Sequence, residues 1–323
     1  MASPSEIADE GAGGAPCARS APWPCGAHGA EGRPPAISAI MAPWRPSDIG
    51  GAICGERDIE PRVLTYDSKG EGDPIVLVPG GLTGWLSWIP HQERLADRYR
   101  VIRVQPIHNE LGSGGQRGDP SYSSEIEREA LRLTLDGLDL PSIHLAGWSG
   151  GGMAVLEFGT EYPGRVRTMT LVEPAAHWVL EQLGEREEEV RRAYAAIHAL
   201  SGREVSEQDL ATFLVLAGLA ASEDAARSDP GWDRWAVHRQ ALSWQSESLD
   251  HPARSVADLS RIGCPVMLVK GIDSTGLDRH LVDALGGLLP DATVVELEGD
   301  HACHIESIDA FLEAFERHLR RSA

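Results

Sequence analysis

Short apolar runs recur along this chain, and segments of helical period separate them. Ile75-Val76-Leu77-Val78 is a continuous apolar run of the kind that forms a strand buried on both faces. Arg100 to Gln105, Ile143-His144-Leu145-Ala146, Val166 to Val172 and Pro265-Val266-Met267-Leu268-Val269-Lys270 read as further strands, and Val294-Val295-Glu296-Leu297 alternates in the manner of a half-exposed one. Ser123 to Leu138 predicts a helix, with acids early and Ile126, Ala130, Leu131, Leu133 and Leu135 as its apolar residues. Met153 to Phe158 opens another, and Ser307 to Leu319 puts Ile308, Phe311, Leu312, Phe315 and Leu319 on one face. Strand and helix in this alternation predict an α/β fold with a mostly parallel sheet and helices on both faces. From about Ala175 to Asp258 the pattern becomes helical throughout, which predicts an insertion after the strand Val166–Val172.

The loops carry the chemistry. Gly147-Trp148-Ser149-Gly150-Gly151 lies between the strand ending at Ala146 and the helix beginning at Met153. In that context Gly-x-Ser-x-Gly predicts a sharp strand-to-helix turn with strained dihedrals at Ser149. Its hydroxyl stands exposed at the head of a helix that favours developing negative charge. A base is expected on the loop after the last strand, where Glu298-Gly299-Asp300-His301 places His301; His304 is the rival, read as a packing histidine.

These pieces, in this order, resemble the α/β-hydrolase fold. The resemblance runs from about Arg62 to Leu319 and rests on Val76-Leu77-Val78-Pro79-Gly80-Gly81, on Gly147 to Gly151, and on Gly299-Asp300-His301 followed by Glu306 and Phe311. It implies an oxyanion hole made by the main-chain N–H of Gly150 and one from the loop after Val78, where Gly81 holds the donor position and Leu82 is its neighbour. Pro79 stands where the family often has histidine; the donors are main-chain groups, so the change need not abolish the hole. Two carboxylates are candidates for the triad acid. Asp273 lies in the family's usual loop, after Pro265–Lys270, but one residue earlier than the common spacing. Glu173 ends the strand Val166–Val172, strand six in the family's count, where lactone hydrolases of the zearalenone-degrading type place theirs. Those enzymes also share a Val-Pro-x-Gly-Leu stretch similar to Val78 to Leu82. The resemblance makes the insertion a helical lid. The expected divisions are a 1–56 extension, a core of 57–174 and 259–323, and a lid of 175–258.

Trp148 and Trp85, beside the nucleophile and after the oxyanion loop, are candidates to line a substrate pocket. Trp232, Trp235 and Trp244 of the lid divide between core and pocket, and an aromatic lid suits an apolar substrate. His108 and His177 read as loop-bonding or pocket residues.

Acids outnumber bases 49 to 29 over 323 residues, a formal net charge of −20, which disfavours a nucleic-acid or anionic-membrane partner and leaves a small molecule. Five scattered cysteines form no metal or disulfide pattern and suggest a reducing, cytoplasmic setting; Cys303 is expected to be inert. No stretch is apolar enough to span a bilayer. The segment to about Glu56 is rich in Ala, Gly and Pro, carries no secretory pattern, and reads as an extension without a core of its own, with Met41 a possible working start.

The expected activity is hydrolysis of a small, rather apolar ester or lactone through an acyl-enzyme on Ser149, without cofactor or metal. A carbon–carbon bond hydrolase, a perhydrolase and a ligand receptor with residual hydrolysis share the scaffold. Haloalkane dehalogenases and epoxide hydrolases carry aspartate at the position of Ser149, which argues against them.

Overall fold

The computed structural model describes residues 59–184, 188–250 and 255–322; the 1–56 extension and Glu185 to Glu187 of the charged run lie outside the described residues. Seven strands form one sheet: β1 (Thr65–Lys69), β2 (Pro74–Val78), β3 (Arg100–Gln105), β4 (Ile143–Trp148), β5 (Val166–Val172), β6 (Val266–Gly271) and β7 (Ala292–Leu297). Their order is β1-β3-β2-β4-β5-β6-β7. All neighbours are parallel except β1 and β3, which pair antiparallel from Thr65↔Gln105 to Lys69↔Val101. β1 is the strand the hydrophobic pattern did not announce. Thr-Tyr-Asp-Ser-Lys at an exposed sheet edge needs no apolar face, so it has no period to read.

The apolar runs of the central strands bury both faces. Val76, Val78, Leu145, Leu171 and Leu268 join one cluster with the helices Ser124–Gly137, Gly150–Glu161 and Gly276–Leu288. Their alternates Ile75, Leu77, Ala146, Val172 and Val269 join a second, with Ile89–Leu95 and Ile308–Leu319. Successive side chains of a strand point to opposite faces, so a doubly covered sheet demands apolar residues at every position.

Among the described residues, six α-helices from Trp178–Gln182 to Ala241–Asp250 lie between β5 and β6 and form the insertion. They have a small core of their own, Leu200, Val205, Leu210, Leu214, Trp235 and Leu242 among others, into which Leu82 of the loop after β2 also packs. That contact brings the insertion over the carboxyl ends of β2 and β4. The chain runs from β2 to β3 on one side and returns to β4 on the other. The strand order therefore reverses there, where open α/β sheets form their ligand crevices.

Candidate active site

Register aligns the carboxyl ends of the central strands: Val78 pairs with Gly147, Trp148 with Val172, and Val172 with Val269. The residues just beyond those ends therefore converge. Ser149 still donates its N–H to Val172 O at 3.0 Å before the chain turns into the helix Gly150–Glu161. Its backbone is at φ 55°, ψ −122°, a conformation that costs on the order of 1–3 kcal/mol and persists only where its surroundings enforce it. Two glycines of the motif make the turn possible by contact. A Cβ on Gly151 would collide with the carbonyl oxygens of Val78 and Pro79, and one on Gly147 would stand 2.5 Å from Gly151 O. Here the pattern is a packing requirement between β2, β4 and the helix.

Glu173 likewise extends β5, with its N–H on Val269 O at 3.0 Å, and then turns away at φ 39°. Its carboxylate is 1% exposed and fully engaged. Oε2 accepts from His301 Nδ1 at 2.7 Å; Oε1 accepts from Gly271 N at 2.7 Å and from the Ser274 hydroxyl. Asp273 lies exposed on the neighbouring turn, and among the described residues its carboxylate makes no ion pair with His301. The second acid near the imidazole is instead Asp278, its Oδ2 3.9 Å from Nδ1 and bonded to the Thr275 hydroxyl. Burial alone would push the His301 pKa down, but the hydrogen bond to Glu173 and the charges of Asp278, Glu173 and Asp300 outweigh it and hold the ring up to about 9. Burial pushes Asp278 itself upward.

Trp148 holds the histidine loop from below, donating Nε1 to His301 O at 2.8 Å. His304 points away, buried among Trp88, Trp148, His91 and Phe311, and burial keeps its pKa well below the usual value. The Cys303 thiol is fully buried and pushed well up by that burial, an inert state.

Ser149 and His301 both line two small cavities. One, about 20 Å³, is walled by Gly81, Leu82, Trp148, Phe213 and Trp235; the other, about 30 Å³, by Glu173, His177, Phe213, Gln245 and Asp278. The first is apolar and aromatic, the second carries the polar groups. Among the described residues no hydrogen bond joins Ser149 to His301; such contacts are often long without substrate and tighten on binding. Glu173, Asp278 and His301 place three potential metal-ligand atoms within 4.8 Å of one another. Both oxygens of Glu173 are already taken by N–H and O–H donors, so the trio fits a proton-sharing cluster better than a cation.

A family model described as the alpha/beta hydrolase family matches residues 75–314. The chain belongs to that family. The chain is 35% identical over 109 residues to the putative carbamate hydrolase RutD of Azorhizobium caulinodans, a match spanning 34% of this chain and 40% of that protein. It is 28% identical over 131 residues, 38% of this chain and 44% of the relative, to 2-hydroxy-6-oxo-6-phenylhexa-2,4-dienoate hydrolase of Comamonas testosteroni. The match thus spans under half the length of these two relatives. It spans 99% of the pimeloyl-[acyl-carrier protein] methyl ester esterase of Chromobacterium violaceum and 80% of this chain, at 26% identity. Among solved structures, a meta-cleavage product hydrolase of Pseudomonas fluorescens is similar at TM-score 0.61 and 19% identity, covering 80% of this chain and 94% of that one. An enol-lactonase from Burkholderia xenovorans is similar at 0.56 and 20%, covering 80% and 96%. Identities this low speak to the fold alone. No described helix of the chain is long and apolar enough to cross a membrane.

The structure departs from the expected site at Trp85. Its ring stacks under Arg103 at 5.7 Å, its carbonyl accepts from Arg103 Nη1 at 2.9 Å, and it lines neither cavity beside Ser149. Trp244 is core, edge-on to Tyr122, while Trp235 reaches the apolar cavity. His177 lines the polar cavity, with burial pushing its pKa down to about 4. His108 bonds Glu127 through Nδ1 at 2.8 Å. The buried Glu127 also accepts from Ile107 N at 3.1 Å, His108 N at 2.9 Å and the Tyr122 hydroxyl, fixing the start of the helix Ile107–Ser113. That helix carries Asn109, whose Nδ2 donates to Gly81 O and braces the loop after β2. Asn109, Asp278 and Gln245 were invisible in the sequence, since none sits in a motif and each reaches the site from a different helix.

Proposed function

We propose that the protein is a serine hydrolase that cleaves a small, rather apolar ester or lactone through an acyl-enzyme on Ser149. The observation that carries this reading is the buried His301–Glu173 hydrogen bond of 2.7 Å, set beside a strained serine at the head of a helix. Ser149 Oγ attacks the carbonyl and His301 Nε2 takes its proton. Glu173 keeps the other ring proton on Nδ1 and stabilises the imidazolium. The N–H groups of Gly81 and Gly150 receive the oxyanion, and His301 returns the proton to the leaving oxygen. Water then repeats the sequence to release the acid. The aromatic wall of Leu82, Trp148, Phe213 and Trp235 takes the apolar part of the substrate, and the helices of 175–258 act as the lid.

A second reading is hydrolysis of a carbon–carbon bond beside a carbonyl. It is favoured by the 2-hydroxy-6-oxo dienoate hydrolases among the relatives, and it uses the same serine, histidine and oxyanion groups. Assays with p-nitrophenyl esters of graded length, a panel of lactones and a vinylogous 1,5-diketone separate the two. Ser149→Ala is expected to lose all turnover and all labelling by a fluorophosphonate while staying folded. Labelling elsewhere, with activity surviving in Ser149→Ala, would remove the serine mechanism.

A further inference from the structure

The helix Ala241–Asp250 of the insertion places Gln245 directly on the cradle assigned to the oxyanion. A Cβ on Gly81 would collide with Gln245 Oε1, and one on Gly150 would stand 2.5 Å from its Nε2. One carboxamide therefore covers both glycines whose N–H groups the reaction needs. Gln245 is 6% exposed, and its Oε1 is buried without a hydrogen-bond partner among the described residues. No described residue donates to that oxygen, and a buried acceptor without a donor is costly to hold. The space left beside Ser149 is correspondingly small. Cavities of about 20 and 30 Å³ hold a water or two. Something must move before a substrate carbonyl can reach Ser149.

The helix that bears Gln245 is itself tied down. Trp244 Nε1 donates to Gln116 O at 2.8 Å, and Gly118 N donates to the Ser243 hydroxyl at 2.9 Å. At Gly112 the backbone of Ala241 approaches so closely that a Cβ would not fit. The part free to move is the side chain. We infer that Gln245 is a gate on the oxyanion cradle: its carboxamide lies against both glycines at rest without engaging their N–H groups, and an ester or lactone displaces it when its carbonyl oxygen accepts from Gly81 and Gly150.

This rests on Ser149 being the nucleophile, and the test separates the two. Gln245→Ala and Gln245→Met are compared with the full-length wild type for the rate of fluorophosphonate labelling at Ser149, and for kcat and KM on p-nitrophenyl acetate. If the cradle is open about a tenth of the time, removing the gate speeds labelling about tenfold and lowers KM by a similar factor. Methionine, of similar length but without the amide, covers both glycines again and labels at the wild-type rate. Should alanine not fold, Gln245→Asn, one methylene shorter, carries the same expectation. Labelling no faster in the shortened variants overturns the gate. So does a loss of tenfold or more in kcat for both alanine and methionine at unchanged melting temperature, since that would make the amide a donor to the oxyanion. Wild type unlabelled at Ser149 overturns the nucleophile, and the gate with it.

Discussion

Replacing Glu173 by glutamine tests the hydrogen-bond network around His301 at its most constrained point. The two carboxylate oxygens face different company. Oε1 receives two donors, Gly271 N–H and the Ser274 hydroxyl, while Oε2 receives His301 Nδ1. A glutamine can satisfy Gly271 only by keeping its carbonyl oxygen at the Oε1 end. Its NH₂ then faces Nδ1, the imidazole proton moves to Nε2, and the ring can no longer accept from Ser149. That tautomer error can cost about 10⁴ in turnover. The escape is to flip the amide, which sets NH₂ against Gly271 N–H and leaves a buried donor unsatisfied, at roughly 1–3 kcal/mol. At 1.36 kcal/mol per decade, the escape still costs about ten- to a hundredfold. The cheaper route sets the outcome, so the expected loss of kcat in Glu173→Gln is about ten- to a hundredfold. Asp273→Asn, on an exposed turn, should stay within about twofold of wild type, a difference of a few tenths of a kcal/mol. Stopped-time assays with a p-nitrophenyl ester, at concentrations matched by active-site titration and with melting curves alongside, measure both. Near-normal turnover in a folded Glu173→Gln would refute the orienting role of this carboxylate. A collapse in Asp273→Asn would move that role to the other loop.

Other outcomes follow from the same geometry. With the His301 ring held up to about 9, the neutral base becomes available only as pH rises, so kcat/KM should climb through neutral pH toward about 9. Asp278→Asn, which removes one of the charges raising that ring, should move the rise to lower pH; an unmoved profile would show that Asp278 is not felt. For stability the sign is fixed by the raised pKa. Any contribution from His301 is complete below its ordinary value near 6.5 and is lost as pH rises through about 9, which urea titrations across that window would register. Trp148→Phe deletes the 2.8 Å bond to His301 O and leaves that carbonyl unpaired, so melting should fall by an amount equivalent to roughly 1–3 kcal/mol and kcat should fall with it. Gly151→Ala drives a methyl into the carbonyls of Val78 and Pro79 and should destabilise by about 1–3 kcal/mol or more, read as loss of melting temperature.

The sequence alone settled whatever depends on local period and local turn chemistry. Continuous apolar runs identified the doubly buried strands because a sheet covered on both faces tolerates no polar alternation, and the glycines about Ser149 identified the elbow because only they fit that contact. It left Glu173 and Asp273 both open as the acid, with Glu173 favoured because Asp273 stands one residue short of the common spacing. Tertiary structure decided between them as His301's partner: the register of β5 against β6 brings Glu173 to Gly271 and Ser274, which both donate to Oε1 and leave Oε2 for His301. The edge strand β1 stayed hidden because an exposed edge imposes no hydrophobic pattern. Trp85 lies outside both cavities because sequence proximity to the loop after β2 says nothing about which way a ring turns, and Arg103 claims it. Asn109, Asp278 and Gln245 reach the site from three helices distant in sequence. Their roles come from convergence at the strand ends, a property of the packed sheet that no local stretch of chain encodes.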